Sequence, residues 1–260
     1  MTSPFPDHFS ERADAYAAHR PTYPDDLFDF VASAAPRRNR AWECAAGSGQ
    51  ATLGLAARFE RVVATDASAA QIARAPAHPR VEYRVAAADR SGLEDSSVDL
   101  VAVAQALHWF DAPAFYLEAR RVLASDGVLA AWCYGTARLD DGALDSAFRR
   151  FHYCVLAAHW PLERRAVESG YRTLSFPLRE IAGSPEFEIA ADWTLGDLLG
   201  YVRTWSAVRS YESACGEAPI GELERALAGS WGGAESRRRV VWPVHVRIGR
   251  FRETGGEGSP

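Results

Sequence analysis

The stretch AWECAAGSGQ, Ala41 to Gln50, decides how the chain folds. A short apolar run ends in an acid, Glu43, and then bends through small residues to Gly47-Ser48-Gly49. Small side chains at 45–49 let a backbone approach a ligand closely, and a loop from a strand into a helix at the carboxyl edge of a parallel sheet is where such folds hold ligands. A dinucleotide fingerprint, GxGxxG, needs glycine where positions 45, 47 and 50 are Ala, Gly and Gln, and the Gly-Lys-Ser/Thr ending of a phosphate-cradling loop is absent. Asp66, in VVATDAS and 19 residues after Gly47, ends the next apolar run. A carboxylate placed there accepts two hydroxyl hydrogen bonds, the grip a sugar diol needs.

Outward from this loop, apolar runs alternate with helix-like stretches, which predicts α/β architecture with a mostly parallel sheet covered by helices. Strands are predicted at Ala41–Cys44, Arg61–Thr65, Val81–Val85, Leu100–Ala104 and Val128–Tyr134, and helices at Ala51–Phe59, Ser68–Arg74 and Ala112–Leu123. The last helix is expected to end at ASDG, with Gly127 at positive φ. Before the first strand, YPDDLFDFVASAA places Asp25 and Asp26 in the first turn of a helix. Leu144, Ala147, Phe148, Phe151 and Val155 predict an amphipathic helix over 141–160. EFEIAADWT alternates as a strand, Leu195, Leu198, Leu199, Val202 and Trp205 mark another helix, and VVWPVHVRIGRF closes the sheet, with Pro243 at an edge or a bulge. This makes seven strands in one domain: a lid and helix at 1–40, a core at 41–135, a helical cap inserted at 136–184, the rest of the sheet at 185–252, and a polar, disordered tail at 253–260.

With 260 residues, 48% of them hydrophobic, the chain buries a sizeable core. Its 34 acids outnumber 29 bases, all arginine and dispersed apart from Arg237-Arg238-Arg239, so no nucleic-acid footprint is present. Cys44, Cys133, Cys154 and Cys215 form no CxxC pair and are expected to be reduced, buried thiols of a cytoplasmic protein. The amino terminus lacks an apolar signal core and no run of about 18 apolar residues occurs, so neither secretion nor membrane spanning is expected. His78, His152, His159 and His245 share no ligand spacing, and no metal is expected.

An acid followed by small residues and glycines after the first strand, an acid after the second, and a polar position after the third resemble class I S-adenosylmethionine-dependent methyltransferases. FSERADAYAAHRPTYP, VDLVAVAQALHWFD, RVLASDGVLAAWCYG, GYRTLSFPL and WTLGDLLGYVRTWSAV are similar, in order, to blocks of the subgroup containing trans-aconitate methyltransferase. The resemblance implies a three-layer, doubly wound, Rossmann-like sheet of seven strands. It implies methyl transfer from S-adenosyl-L-methionine to a small molecule through a carboxylate, hydroxyl or nitrogen, leaving S-adenosyl-L-homocysteine.

Glu43, Ala45, Gly47 and Gly49 would line the methionine half, Asp66 and Ala67 the ribose, and Ala88 and Asp89 the adenine, Ala87 standing where relatives have an acid. Gln105 to Trp109 would lie under the methyl group, with His108 as a general base for a hydroxyl or nitrogen acceptor. Tyr16 and Arg20 would form a lid over the cofactor, and Tyr23, Trp109, Trp132, Tyr134, Trp160, Tyr201 and Trp205 an aromatic acceptor pocket. Ala45 departs from the usual first glycine. Because alanine disfavours positive φ, residue 45 is expected to keep negative φ or to shift the path. A monomer or homodimer is expected. Two other readings stay open: a cofactor-binding protein without methyl transfer, supported by Ala45 and Ala87, and a nicotinamide-dependent oxidoreductase, opposed by the missing glycine at 50.

Overall fold

The computed structural model describes residues 21–252; Tyr16, Arg20 and the tail lie outside the described residues. After helix α1 (Asp25–Ala34), the cofactor-loop region supplies strand β1 (Arg40–Cys44), helix α2 (Thr52–Ala56), β2 (Arg61–Asp66), α3 (Ala69–Ile72) and β3 (Val81–Val85). Then follow β4 (Val98–Ala104), a 3-10 turn at Leu107–Trp109, α4 (Ala112–Val122), β5 (Leu123–Tyr134) and β6 (Arg138–Leu139). The remainder is α5 (Gly142–Arg150), a π-helical turn at Phe151–Val155, α6 (Arg164–Glu168), β7 (Leu178–Glu180), β8 (Phe187–Trp193), α7 (Leu195–Arg203), α8 (Ser206–Cys215), α9 (Ile220–Trp231) and β9 (Arg238–Phe251).

One sheet runs in the order β3-β2-β1-β4-β5-β9-β6, parallel from β3 through β5, with β9 antiparallel beside β5. Two strands exceed the expected seven among the described residues: the short β6 and β7, both paired with the long β9, as is the expected β8. Pro243 lies not at an edge of the sheet but opposite the break between β5 and β6, where the register shifts by one residue. It pairs opposite Glu188 of β8, and its carbonyl accepts from the Gly135 amide where β5 has ended and β6 has not begun. The N–H it lacks would face that same gap, since both groups of an antiparallel residue point one way.

Alternation along each central strand divides the core. Val128, Ala130, Trp132 and Tyr134 of β5 join α1 and the cap on one face, while Leu129, Ala131 and Cys133 join Trp42, Phe115 and Tyr171 on the other. Asp99, 5% exposed, accepts from Arg37 and from the amides of Asn39 and Arg40, which holds the start of β1 against β4. Arg58 ties α2 to α1 through Asp25 and Asp29.

Three local expectations are corrected. Helix α4 stops at Val122 and passes straight into β5, where Gly127 has ordinary φ; a Cβ there would meet Leu123 Cδ2 at 2.8 Å and the Ala124 carbonyl at 3.0 Å, so space rather than conformation requires glycine. The helix over 141–160 is regular only to Arg150 and then loosens into the π-helical turn and a 3-10 turn at Ala157–His159. Helix α9 packs on α5 and α7, with Phe148, Leu198, Leu227 and Trp231 in one cluster. The cysteines also divide: Cys44 and Cys133 are buried, but Cys154 and Cys215 are exposed, lying on helical rather than strand segments.

Gly54 of α2 lies against α1, where an added Cβ would fall 2.3 Å from the Phe28 ring. Gly54→Ala is expected to cost about 1–3 kcal/mol through overpacking, despite its better helix propensity. Urea denaturation of both proteins measures this, and an unchanged or raised midpoint would remove the close α1–α2 packing.

Candidate active site

The strand order reverses between β1 and β4, the place where a doubly wound sheet opens a crevice at its carboxyl edge. There the described residues surround a cavity of about 1360 Å³. Single-ligand sites span roughly 300–1,000 Å³, so the cleft has room for two small molecules at once.

The loop after β1 forms one wall. Ala45, Gly47 and Gly49 all adopt left-handed backbone, with φ of 57°, 57° and 86°. The expectation of negative φ at Ala45 is therefore corrected: alanine takes the conformation that glycine would take. That costs roughly 1–2 kcal/mol. It is held there by its neighbours, since the Ala46 amide donates to the Thr65 carbonyl and the Gly49 amide to Ala46. A Cβ on Gly47 would meet nothing within 4 Å, so the space beside it belongs to the cleft. Gly49 is turned away from the cleft, and a Cβ there would meet Tyr83 Oη and Pro76, so it shapes the turn instead of lining the cavity. Gln50, at the missing third glycine, donates to the Pro21 carbonyl and anchors the segment before α1.

Asp66 is fixed at the end of β2. One carboxylate oxygen accepts from the Gly47 amide and the other from the Ser68 amide, each at 2.8 Å. The capping of α3 belongs to Ser68, whose hydroxyl accepts from Gln71. A carboxylate has acceptor capacity beyond two bonds, which suits it to a diol. Ala67, Ala88 and Asp89 line the same part of the cleft, Asp89 exposed at its rim.

Glu43 is 1% exposed and lines the cleft floor. Its Oε2 accepts from Thr52, whereas Oε1 is buried without a partner. Desolvation pushes its pKa up to about 8, with Asp66 adding to the rise and the Thr52 hydroxyl opposing it. Gln105 has φ of 56°, and its amide is spent on the end of β5: Oε1 accepts from the Tyr134 amide at 2.7 Å. It faces the cleft through residues it positions more than through its own polar group.

The other half of the cleft is aromatic. Tyr23, Trp109, Tyr134, Trp160, Tyr201 and Trp205 line it. Trp132 does not. It is fully buried beneath Tyr23 and Phe28, in edge-to-face contact with both, and belongs to the core because its neighbour Tyr134 ends the strand at the opening. Trp205 is wedged between Trp160 and Phe148, ring centres 5.3 and 5.8 Å away. His108 faces this half with Nδ1 3.1 Å from the Tyr171 hydroxyl. Burial, and secondarily the Arg164 charge, depress its pKa to about 3, so it is neutral at pH 7 and a weak base. Two lining residues carried no distinguishing sequence signal: Arg164, one of a helix-borne arginine pair, and Thr204, a helix-end threonine.

Among the described residues no cluster of His, Cys, Asp and Glu could hold a metal, and no helix is long and apolar enough to cross a membrane.

A carboxyl whose folded pKa is raised from 4.5 to about 8 favours folding fully below pH 4.5 and loses that contribution as pH rises through 8. Glu43→Gln, which keeps an acceptor for Thr52, is therefore expected to gain a few kcal/mol over the ligand-free parent between pH 5 and pH 9. Urea titrations across that range test this, and a difference independent of pH would contradict it. Ala45→Gly is expected to stabilise the protein by about 0.5–1 kcal/mol, the relief of left-handed strain exceeding the added unfolded-state entropy; a lowered melting temperature would contradict the strain.

The methyltransferase domain family matches residues 42–131, from β1 into β5. A protein of Dictyostelium discoideum assigned as a methyltransferase is 30% identical over 262 residues, which cover 96% of this chain and 99% of its own. A solved structure from Anaeromyxobacter dehalogenans, assigned as a type II methyltransferase, superposes with a TM-score of 0.84 at 47% identity, over 89% of this chain and 97% of that one. An uncharacterized methyltransferase of Mycobacterium tuberculosis is 37% identical over 123 residues, 46% of this chain and 49% of its own. These relatives set aside the oxidoreductase and the non-catalytic readings: the chain belongs to the class I S-adenosylmethionine-dependent methyltransferases, enzymes that use S-adenosylmethionine as cofactor.

Proposed function

We propose that this enzyme methylates a small organic acceptor held between the carboxyl edge of the sheet and the helical cap, in the manner of the trans-aconitate methyltransferase-like subgroup. The observation that carries this reading is Asp66, pinned by the Gly47 and Ser68 amides at the switch point and facing a cleft large enough for cofactor and acceptor together.

The residues present fit the cofactor. Asp66 would accept from the ribose diol, Ala88 and Asp89 would meet the adenine, and the open space beside Gly47 would take the methionine half. Glu43 Oε1, buried and without a partner, offers an acceptor or a counter-charge for a cationic group placed over the loop. When bound, S-adenosylmethionine supplies a methyl group on positively charged sulfur, and S-adenosylhomocysteine remains after transfer.

The chain's own part is to align the acceptor and exclude water. Tyr134, Trp160, Tyr201 and Trp205 form the apolar walls that do so. His108, held neutral and weakly basic, orients through its Tyr171 contact and does not serve as the general base, so the acceptor carries its nucleophilic lone pair at neutral pH. A small acceptor accords with an arginine distribution that offers no basic stripe for a polymer.

Asp66→Ala is expected to weaken S-adenosylhomocysteine binding by about 30- to 100-fold, the loss of a charge-assisted pair of hydrogen bonds and of the loop they pin. Calorimetric titration of both proteins measures this, and equal affinities would refute the placement of the ribose at Asp66.

A further inference from the structure

Tyr171 is fully buried and yet holds a backbone conformation that a bulky side chain ordinarily avoids, with φ of 63° directly after Gly170 at 60°. Its surroundings impose it. The Tyr171 amide donates to the Ala166 carbonyl, and Arg247, ion-paired with Glu180 and stacked on Phe176, donates through Nη1 to the Tyr171 and Leu174 carbonyls. Strain of this kind persists only where it is over-determined, and what it secures here is the direction of one phenol. The ring belongs to the core cluster of Trp42 and Phe115, and its hydroxyl lies 3.1 Å from Nδ1 of His108, a residue that lines the cleft.

The proton between these two atoms has one place to go. A buried hydroxyl needs an acceptor for its single O–H, and among the described residues Nδ1 is the only one that the Tyr171 hydroxyl meets. Burial above all keeps the phenol protonated, while the Leu107 backbone opposes that, as an amide donor does and a carbonyl does not. With the imidazole proton on Nδ1, the phenol oxygen would face two donors and its own O–H would go unpaired. The imidazole is neutral at pH 7, because burial and then the Arg164 charge disfavour its cation. A neutral ring that accepts at Nδ1 carries its hydrogen at Nε2. Nε2 is bonded to none of the described residues and is not enclosed by them, which leaves it open to the cleft.

Resting on the reading of this cleft as the acceptor site, we infer that Tyr171 is a positioning residue: its hydroxyl donates to His108 Nδ1 and so fixes the tautomer whose Nε2–H faces the acceptor as a hydrogen-bond donor. The donor serves orientation. On the attacking atom it would tie up the lone pair that must reach the methyl carbon, so it grips another oxygen or nitrogen of the acceptor molecule and leaves the nucleophile in line with the sulfonium. No proton moves at His108 during the transfer. The imidazole acts as a fixed dipole, preorganised by a residue on a separate loop that the core holds in place.

The test reads the tautomer directly. The full chain, labelled with nitrogen-15 in its histidines, gives long-range proton–nitrogen spectra in which the His108 signals are those lost in His108→Gln. Wild type is expected to show Nε2 protonated and Nδ1 bare, in one tautomer, from about pH 6 to pH 8. Tyr171→Phe, which keeps the ring, should shift the Nδ1 resonance toward that of an imidazole nitrogen accepting no hydrogen bond. A proton on wild-type Nδ1, or an Nδ1 resonance unmoved by Tyr171→Phe, would overturn the assignment. The donor role is read from S-adenosylhomocysteine formation with S-adenosylmethionine and a panel of small carboxylic acids, alcohols and amines. His108→Phe should raise KM for the best compound about 5- to 15-fold, the loss of one hydrogen bond, with His108→Gln recovering part of it through its own N–H and S-adenosylhomocysteine affinity changing by less than about twofold. A KM unmoved by His108→Phe, or a kcat/KM that falls below about pH 6.5 in wild type and not in His108→Gln, would make His108 a bystander or a base and overturn the role. Failure of wild type to bind S-adenosylhomocysteine would instead overturn the cofactor reading beneath it, with the tautomer still decided by the spectra.

Discussion

The hydrogen bond from the Gly47 amide to Asp66 joins the loops that leave two adjacent parallel strands, and the cleft takes its shape from that junction. Around it the bonding is redundant. The Ala46 amide donates to Thr65, the Trp42 indole donates to the Thr65 hydroxyl from within the core, and the Ser68 amide holds the other oxygen of Asp66. A carboxylate fixed from both sides loses little freedom when a ligand arrives, which is how a scaffold turns stability into affinity. The same redundancy allows the first glycine of the loop to become alanine without loss of the turn.

Two of the four non-glycine residues with left-handed φ among the described residues flank the place where the sheet changes direction. Ala45 directly follows β1 and Gln105 directly follows β4, the two strands flanking the switch point, and both hold left-handed φ that side chains ordinarily avoid. Each is compensated locally, Ala45 by the Asp66 junction and Gln105 by its amide bond to Tyr134 and its backbone bond to Trp132. Such strain persists only where surrounding structure over-determines it, and here the surroundings are the core strands themselves. The left-handed turns carry the chain off β1 and β4 at the cavity floor, so that backbone rather than bulky side chains lines it.

Most of the parallel half of the fold was legible because alternating apolar runs and a strand-ending acid are local signals: β1 through β5 and the place of Asp66 follow from them. The failures arose where tertiary partners decide. Nothing local shows that the short β6 and β7 form against β9, or that Gly127 is required by the Leu123 side chain rather than by its φ. Aromatic identity alone did not separate Tyr134 from Trp132, two residues apart on one face of β5; only the depth of the strand beneath Tyr23 does so. Arg164 was invisible for a related reason, since an arginine beside another on a short helix reads as a solvated surface until the cap folds it over Trp160.

The resulting cleft is electrostatically divided. Carboxylates at the strand ends face the side where a cationic, hydroxyl-rich cofactor would lie, and one guanidinium faces the aromatic side under the cap. Charges of opposite sign in one low-dielectric cavity act over its width, so a ligand with the wrong distribution meets repulsion in both halves instead of attraction in either. His108 faces the aromatic half, and its neutrality follows first from burial and second from the Arg164 charge, both of which oppose a protonated imidazole.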